Sequence, residues 1–314
     1  MNDFLQSIID RDPAAKSKLS LILTYPGVKA ISFYKIANFF AIAKFDLIAR
    51  IISQFSRFLT GIEIHPKAKI ASNVEIGPYC VIGPNVEIGD NTIIQSHVHI
   101  SVSAKIGKGN KIYPFVSIND PQDLKYNGEH TNLVIGDNNK IREYVTINPG
   151  TAGGGGKTTI GDNCLFMISS HIAHDCQVGN NVIIANNVPL GGHAIIEDNV
   201  IIGGNSAVQQ FTRIGKMAMI GGMTGVLHDV IPYGLSTGNR NSLQGLNLIG
   251  LRRAKFENKD ILGLSEAYKE IFATKNINEN ISKLNGSFQE NPLVKEVIEF
   301  INKDKKRSIC TPFL

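Results

Sequence analysis

The sequence predicts a left-handed parallel β-helix of the hexapeptide-repeat kind, with a helical N-terminal extension and a C-terminal α-helical domain. The first observation behind this is an aliphatic side chain at every sixth position. The series starts at Ile64 and holds through Ile70, Ile76, Ile82, Ile88, Ile94, Ile100, Ile106, Ile112 and Ile118. It resumes at Ile135, Ile141 and Ile147, then runs from Ile160 through Phe166, Ile172 and Val178 to Val226. The second observation is a smaller slot four residues after each anchor, filled by Ala68, Val74, Cys80, Val86, Thr92 and Val98 in the opening coils. The third is a glycine directly after many anchors, as at Gly77, Gly83, Gly89, Gly107, Gly161 and Gly215. A turn with positive φ is the expected reason for glycine there.

Neither the helix period of 3.6 nor the strand period of 2 generates a beat of six. Short strands joined by turns do, three to a triangular coil, with anchors stacked inside and hydrogen bonds running between coils about 4.8 Å apart. Such a stack buries each anchor only against its neighbours, so it needs several coils and capped ends. The domain reading is a helical extension over 1–60, the β-helix over 61–247 and a helical domain over 248–314.

Before the first anchor the period is helical. "DPAAKSKLSLIL", "VKAISFYKIANFFAIAK" and "LIARIISQFSRFLTG" read as amphipathic helices, broken by a turn at Tyr25, Pro26 and Gly27. After Leu248 helical spacing returns in "KDILGLSEAYKEIF" and "NPLVKEVIEFINK". These ends are expected to cap the stack.

Composition narrows the function classes. A net charge of +5 with 19% charged residues is too weak and dispersed for a nucleic-acid binder, but suits an acidic partner or a phosphorylated substrate. The opening "MNDFLQSIIDRDPAAK" carries acids where a secretory signal needs basic residues and an apolar core. The most apolar stretch is interrupted by Lys44, Asp46 and Arg50, which leaves no run of about 20 apolar residues to span a bilayer. Any membrane association is therefore expected to be peripheral. Cys80, Cys164, Cys176 and Cys310 show no CxxC or zinc spacing, so a cytoplasmic protein with free thiols is expected.

The stretch "MISSHIAHDCQVGNN" concentrates reactive side chains. Alone it is compatible with a metal site, a thiol nucleophile with its base, or a proton-transfer pair. The six-residue beat sorts them: Cys176 falls in the small inward slot, where cysteine is inert filler. His171, His174 and Asp175 fall in outward slots, facing solvent or another subunit. His193 is nineteen residues after His174, a coil further on near the same edge. The beat also pauses twice, at "NDPQDLKYNGEHTNLV" and "NPGTAGGGGKTT". Both read as loops thrust from the stack, where binding groups concentrate. The second is not a phosphate loop, since Thr151 stands where the pattern needs glycine and no helix follows; it reads as a flexible loop.

From Ile64 onward, "PQDLKYNGE", "IREYVTI", "HIAHDCQVGN", "GGHAII", "IIGGNSAVQQF" and "TGNRNSLQGLNLIGLRR" resemble the UDP-N-acetylglucosamine O-acyltransferases that perform the first acylation of lipid A synthesis. The resemblance implies that His174 is the general base, that Asp175 holds its imidazole, and that Gly192 offers its N–H to the oxyanion. Asp123 and Lys125 would contact the sugar or the acyl group, with His171, His193, Gln210, Asn247 and Arg253 lining the site. Gly222 falls where the family measures acyl length, and a position without a side chain leaves room for a long chain. The family is a homotrimer with sites between subunits. Its partners are UDP-N-acetylglucosamine and an acidic acyl carrier protein bearing a (3R)-3-hydroxyacyl chain. No cofactor or metal is implied.

The chemistry agrees with these roles. A sugar hydroxyl is a poor nucleophile at neutral pH, and a positioned histidine contributes about 10²–10⁴ by taking its proton. A neighbouring carboxylate selects the tautomer and stabilises the imidazolium. A thioester is already activated, so direct attack suffices, with an N–H donor stabilising the oxyanion.

The chain departs from the family pattern at Gln209 and Arg240, where histidine is frequent, and at Ala254, where arginine is. Arg252, Arg253 and Lys255 remain as a basic cluster for phosphates and the carrier protein. The N-terminal segment is similar to the helical head of serine acetyltransferases, so acetyl transfer from coenzyme A to serine or another small acceptor is the alternative activity. That family's "DHGTG", "HGVTLGG" and "RHP" signatures do not occur in this sequence. A zinc hydratase on the same coil would need three converging histidines, and its HxxxxH pair is likewise missing. A purely structural β-helix is the non-enzymatic reading.

Overall fold

The computed structural model describes residues 2–11, 13–122, 126–303 and 306–312. The chain forms two compact units that divide after Asp175.

The first unit opens with four helices: α1 (Asn2–Arg11), α2 (Lys18–Thr24), α3 (Pro26–Ile42) and α4 (Asp46–Thr60). Three details differ from the sequence reading, the first being α1 itself, which precedes every segment read there as a helix. The second helix starts at Lys18 rather than near Pro13, because Ser17 is its N-cap and accepts from the Ser20 N–H. The helices do break at Tyr25, which caps both α2 and α3, but Pro26 and Gly27 already belong to α3; proline lacks the N–H that a first helical turn leaves unpaired anyway. Gly61, at φ 71°, ends α4 as a left-handed cap. The helices are tied to the first coils by polar side chains. Tyr34 donates to the Ala68 carbonyl, Asn38 to Pro66 and Ser53 to Ile64.

The repeat then begins. Strands β1 (Glu63–Ile64) to β25 (Gly225–Val226) follow in chain order, each ending on one of the anchors. Most are two residues long; β8 (Ala104–Ile106), β11 (Asn132–Ile135) and β14 (Lys157–Ile160) are longer. In the first unit three parallel ladders run β1-β4-β7-β10-β13-β16, β2-β5-β8-β11-β14 and β3-β6-β9-β12-β15. The register places Ile64 beside Ile82 and Ile82 beside Ile100, one coil per eighteen residues. This is the left-handed parallel β-helix. Every anchor except Ile70 is buried, as are the smaller slots four residues later. The polar slot at Asn110 bonds within its coil and across to the next: it donates to the carbonyls of Gly107 and Gly136 and accepts from the Asn139 N–H.

The glycine expectation is corrected. Gly77, Gly83, Gly89 and Gly107 do not adopt positive φ; the residue three after the anchor does, as at Asn73 (56°), Asn85 (58°) and Asn91 (58°). Asparagine is among the few L-residues that visit this region readily. The glycines serve close approach instead. A Cβ on Gly89 would lie 2.6 Å from the Gly107 carbonyl carbon, and one on Gly107 would lie 2.6 Å from the Gly136 oxygen.

The second unit continues the repeat, with ladders β19-β22-β25, β17-β20-β23 and β18-β21-β24. β26 (Gly234–Thr237) extends the last of these, and β27 (Ser242–Leu246) pairs with it antiparallel. Among the described residues five helices follow: α5 (Leu248–Arg253), α6 (Asn258–Ile271), α7 (Ile277–Ser282), α8 (Gly286–Gln289) and α9 (Pro292–Asn302). α6 and α9 are the two segments with helical spacing in the sequence. The short α5, α7 and α8 carry too few turns to show a period. A buried ion pair fastens α9 to the repeat: Arg213 Nε donates to Asp229 Oδ2 at 2.8 Å, and Arg213 Nη1 donates to the Phe300 carbonyl. Among the described residues no helix is long and apolar enough to cross a membrane.

Candidate active site

The reactive cluster of the first unit lies where β16 (His171–Ile172) passes into the next turn. Ile172 points into the stack as an anchor and is fully buried, which leaves His171 and His174 partly exposed on the outer side. Asp175 occupies the turn position at φ 59°.

Asp175 is not exposed, contrary to the outward slot that the beat assigns to it. Its side chain is 2% accessible, whereas that of His174 is 29%. The reason is the loop after Ile147. Thr151 donates its backbone N–H to both carboxylate oxygens at 3.0 and 3.1 Å, and its hydroxyl to Oδ2 at 2.6 Å. The Asp175 N–H in turn donates to the Thr158 hydroxyl at 2.8 Å. The glycine-rich loop also closes hydrogen bonds of its own. The N–H groups of Gly154 and Gly156 close onto the Thr151 carbonyl, and Gly156 O accepts from Asn132 N–H. Thr151 and Thr158 are the site residues that sequence reasoning missed, because a loop outside the repeat carries no register.

The carboxylate so held meets the imidazole. His174 Nδ1 lies 2.9 Å from Asp175 Oδ2. An ionised carboxylate only accepts, so this contact places the proton on Nδ1 and the lone pair on Nε2, the tautomer a general base requires. His171 Nδ1 is 2.7 Å from the Thr146 hydroxyl. Burial, and then the charge of His174, hold the His171 pKa below the ordinary imidazole value, so His171 favours a neutral hydrogen-bonding role.

The second unit holds the remaining candidates. Cys176 is buried and its thiol donates to the Gly191 carbonyl, in keeping with an inert inward slot. Gly192, His193 and Gln210 gather about Phe211. The Phe211 N–H donates to Gly192 O, the His193 ring stacks on the Phe211 ring at 4.4 Å, and Lys306 Nζ covers the same ring. Arg307 Nε donates to the Gln210 carbonyl. Asn247 caps α5, its Oδ1 accepting from Gly250 N–H and its Nδ2 donating to Met217 O. Arg252, Arg253 and Lys255 are exposed at the far end of that helix. Gly222 is exposed as well, and a Cβ there would find only the Gly204 backbone, at 3.3 Å. Asp123 and Lys125 lie outside the described residues.

A left-handed β-helix of hexapeptide coils, with an imidazole–carboxylate pair on its outer side, defines the class: a transferase of the hexapeptide-repeat type. The bacterial transferase hexapeptide family matches residues 52–101 and 157–188, and the second domain of UDP-N-acetylglucosamine O-acyltransferases matches 229–310. An acyl-[acyl-carrier-protein]–UDP-N-acetylglucosamine O-acyltransferase of Rhizobium leguminosarum bv. trifolii is 44% identical over 219 residues, 69% of this chain and 80% of that protein. The solved UDP-N-acetylglucosamine acyltransferase of Francisella novicida superposes with a TM-score of 0.76 at 38% identity, over 80% of this chain and 92% of the other. The corresponding structure from Moraxella catarrhalis gives 0.73 at 43%, over 78% and 98%. The chain belongs to the acyl-[acyl-carrier-protein]–UDP-N-acetylglucosamine O-acyltransferase family.

Proposed function

We propose that this chain transfers a (3R)-3-hydroxyacyl group from acyl carrier protein to the 3-hydroxyl of UDP-N-acetylglucosamine, opening lipid A biosynthesis. The observation that carries the mechanism is the His174–Asp175 pair, with its carboxylate buried and fixed by Thr151. His174 takes the hydroxyl proton as the sugar oxygen attacks the thioester carbonyl. Asp175 stabilises the imidazolium, and the proton then passes to the departing phosphopantetheine sulfur. The Gly192 N–H stabilises the tetrahedral oxyanion. The thioester supplies the activation, so neither a covalent enzyme intermediate nor a metal is needed.

His171, His193, Gln210, Asn247, Arg253, Asp123 and Lys125 serve substrate binding in this reading, and Gly222 sets the room for the acyl tail. The exposed Arg252, Arg253 and Lys255 receive the acidic carrier protein. The protein works in the cytoplasm as a homotrimer with sites between subunits. The test pairs two donors, 3-hydroxyacyl carrier protein and acetyl-coenzyme A, with two acceptors, UDP-N-acetylglucosamine and serine. Acyl-UDP-N-acetylglucosamine from the carrier-linked donor alone is expected; O-acetylserine would overturn the proposal.

A further inference from the structure

Helix α4 is packed inside out. The side it buries is small and polar: Ala49, Ser53, Ser56 and Thr60. At 100° per residue these fall on one stripe, and Ser53 uses its hydroxyl to hold the Ile64 carbonyl. The opposite stripe carries Leu47, Ile48, Ile51, Phe55, Phe58 and Leu59, all exposed, with Phe58 at 84% and Leu47 at 75%. A folded chain that only needed to cap its β-helix would turn these residues inward, since burying each contributes about 1.5–3 kcal/mol. Phe39 of α3 and Phe45 between the helices are exposed too and meet the Phe40 ring at 5.7 and 6.4 Å, while Phe55 of α4 meets Phe33 of α3 at 5.7 Å. Contiguous apolar surface of this kind marks a docking site.

The charge indicates what docks. Residues 13–60 contain seven lysines and arginines against a single acid, Asp46. Arg50 and Arg57 lie on α4 at the flank of its apolar stripe, Arg57 paired with Glu63 at 2.8 Å, and Lys44 lies in the turn between α3 and α4. Apolar and aromatic side chains bordered by cations match a membrane interface with anionic headgroups. A second copy of the same face would bring like charges together. Fifteen residues of helix reach about 22 Å, short of a hydrocarbon core of about 30 Å, so α4 would lie in the interface rather than cross it. We infer that the outer face of α4, with the adjoining end of α3, docks on the surface of an anionic lipid bilayer. This inference is independent of the acyl-transfer reading.

The test uses the full-length protein, sedimented with vesicles of equimolar phosphatidylcholine and phosphatidylglycerol or of phosphatidylcholine alone. Wild type is expected to partition onto the anionic vesicles and to leave them as salt rises. Arg50→Gln should weaken partitioning about fivefold, the effect of one basic residue near such a surface. The double variant Leu47→Ser, Phe58→Ser should weaken it at least tenfold while its melting temperature holds, since both side chains are already exposed. Failure of the wild type to bind anionic vesicles would overturn the inference. So would a double variant whose mass in solution falls to a smaller assembly, because the face would then be covered by another copy.

Discussion

Thr151 grips the carboxylate of Asp175 with both its backbone N–H and its hydroxyl, at 3.0 and 2.6 Å. Asp175 belongs to the repeat and Thr151 to the loop that interrupts it, so the loop fixes the carboxylate that orients His174. Thr151→Val keeps the N–H and loses the hydroxyl bond. The carboxylate is then held by fewer bonds, and kcat is expected to fall, by no more than the roughly 10²–10⁴ that the positioned base itself contributes, while the KM for UDP-N-acetylglucosamine holds. Thr151→Ser, which keeps the hydroxyl, should retain the wild-type kcat. A purely structural role for Thr151 would lower stability in Thr151→Val and leave kcat where it was.

His174→Gln should reduce kcat by about 10²–10⁴ with little change in melting temperature, because the side chain is partly exposed and its loss opens no core cavity. Wild-type turnover in this variant, measured by acyl transfer to UDP-N-acetylglucosamine, would refute the base assignment.

His171 supplies a pH prediction. Its pKa is lowered in the folded protein, chiefly by burial. Above the ordinary value of about 6.5 both states are neutral and folding is unaffected. As pH falls below that value the unfolded chain takes the proton first, so stability declines until the folded pKa is passed. His171→Gln should flatten this part of the stability curve, as followed by urea unfolding from pH 7.5 down to about pH 5.

The two roles in the coil turns predict opposite tolerances. Gly89→Ala should destabilise the fold by about 1–3 kcal/mol, because the added Cβ meets backbone of the next coil and neither side can yield. Asn85→Gly, at φ 58°, should be nearly neutral, since glycine adopts that conformation freely. Equal effects in chemical denaturation would contradict the division of labour between these positions.

Asp229→Asn should cost about 3–5 kcal/mol by leaving the Arg213 charge buried without its counter-ion. Arg213 is 9% and Asp229 0% accessible, and the pair holds α9 through the Phe300 carbonyl. A fall in urea midpoint at constant slope is the expected result.

The coil could be read from the chain because its rule is local and repeated. One aliphatic residue in six can face inward, and each anchor does close a strand. The inert inward place of Cys176 and the outward place of His174 follow from the same count. The count fails where a side chain's surroundings come from outside the repeat. Asp175 stands in an outward slot, yet Thr151 buries it, and no period links position 151 to 175. Register likewise predicts glycine after the anchors without giving its reason, which depends on how closely the next coil approaches. Helix α4 is amphipathic in sequence, but amphipathicity alone does not say which stripe turns inward; Ser53, Ser56 and Thr60 against the first coil decide it. One-dimensional patterns therefore determined the architecture and the positions of the reactive residues. Burial, hydrogen-bond partners and exposed faces were left to tertiary packing, because they depend on segments that sequence spacing does not bring together.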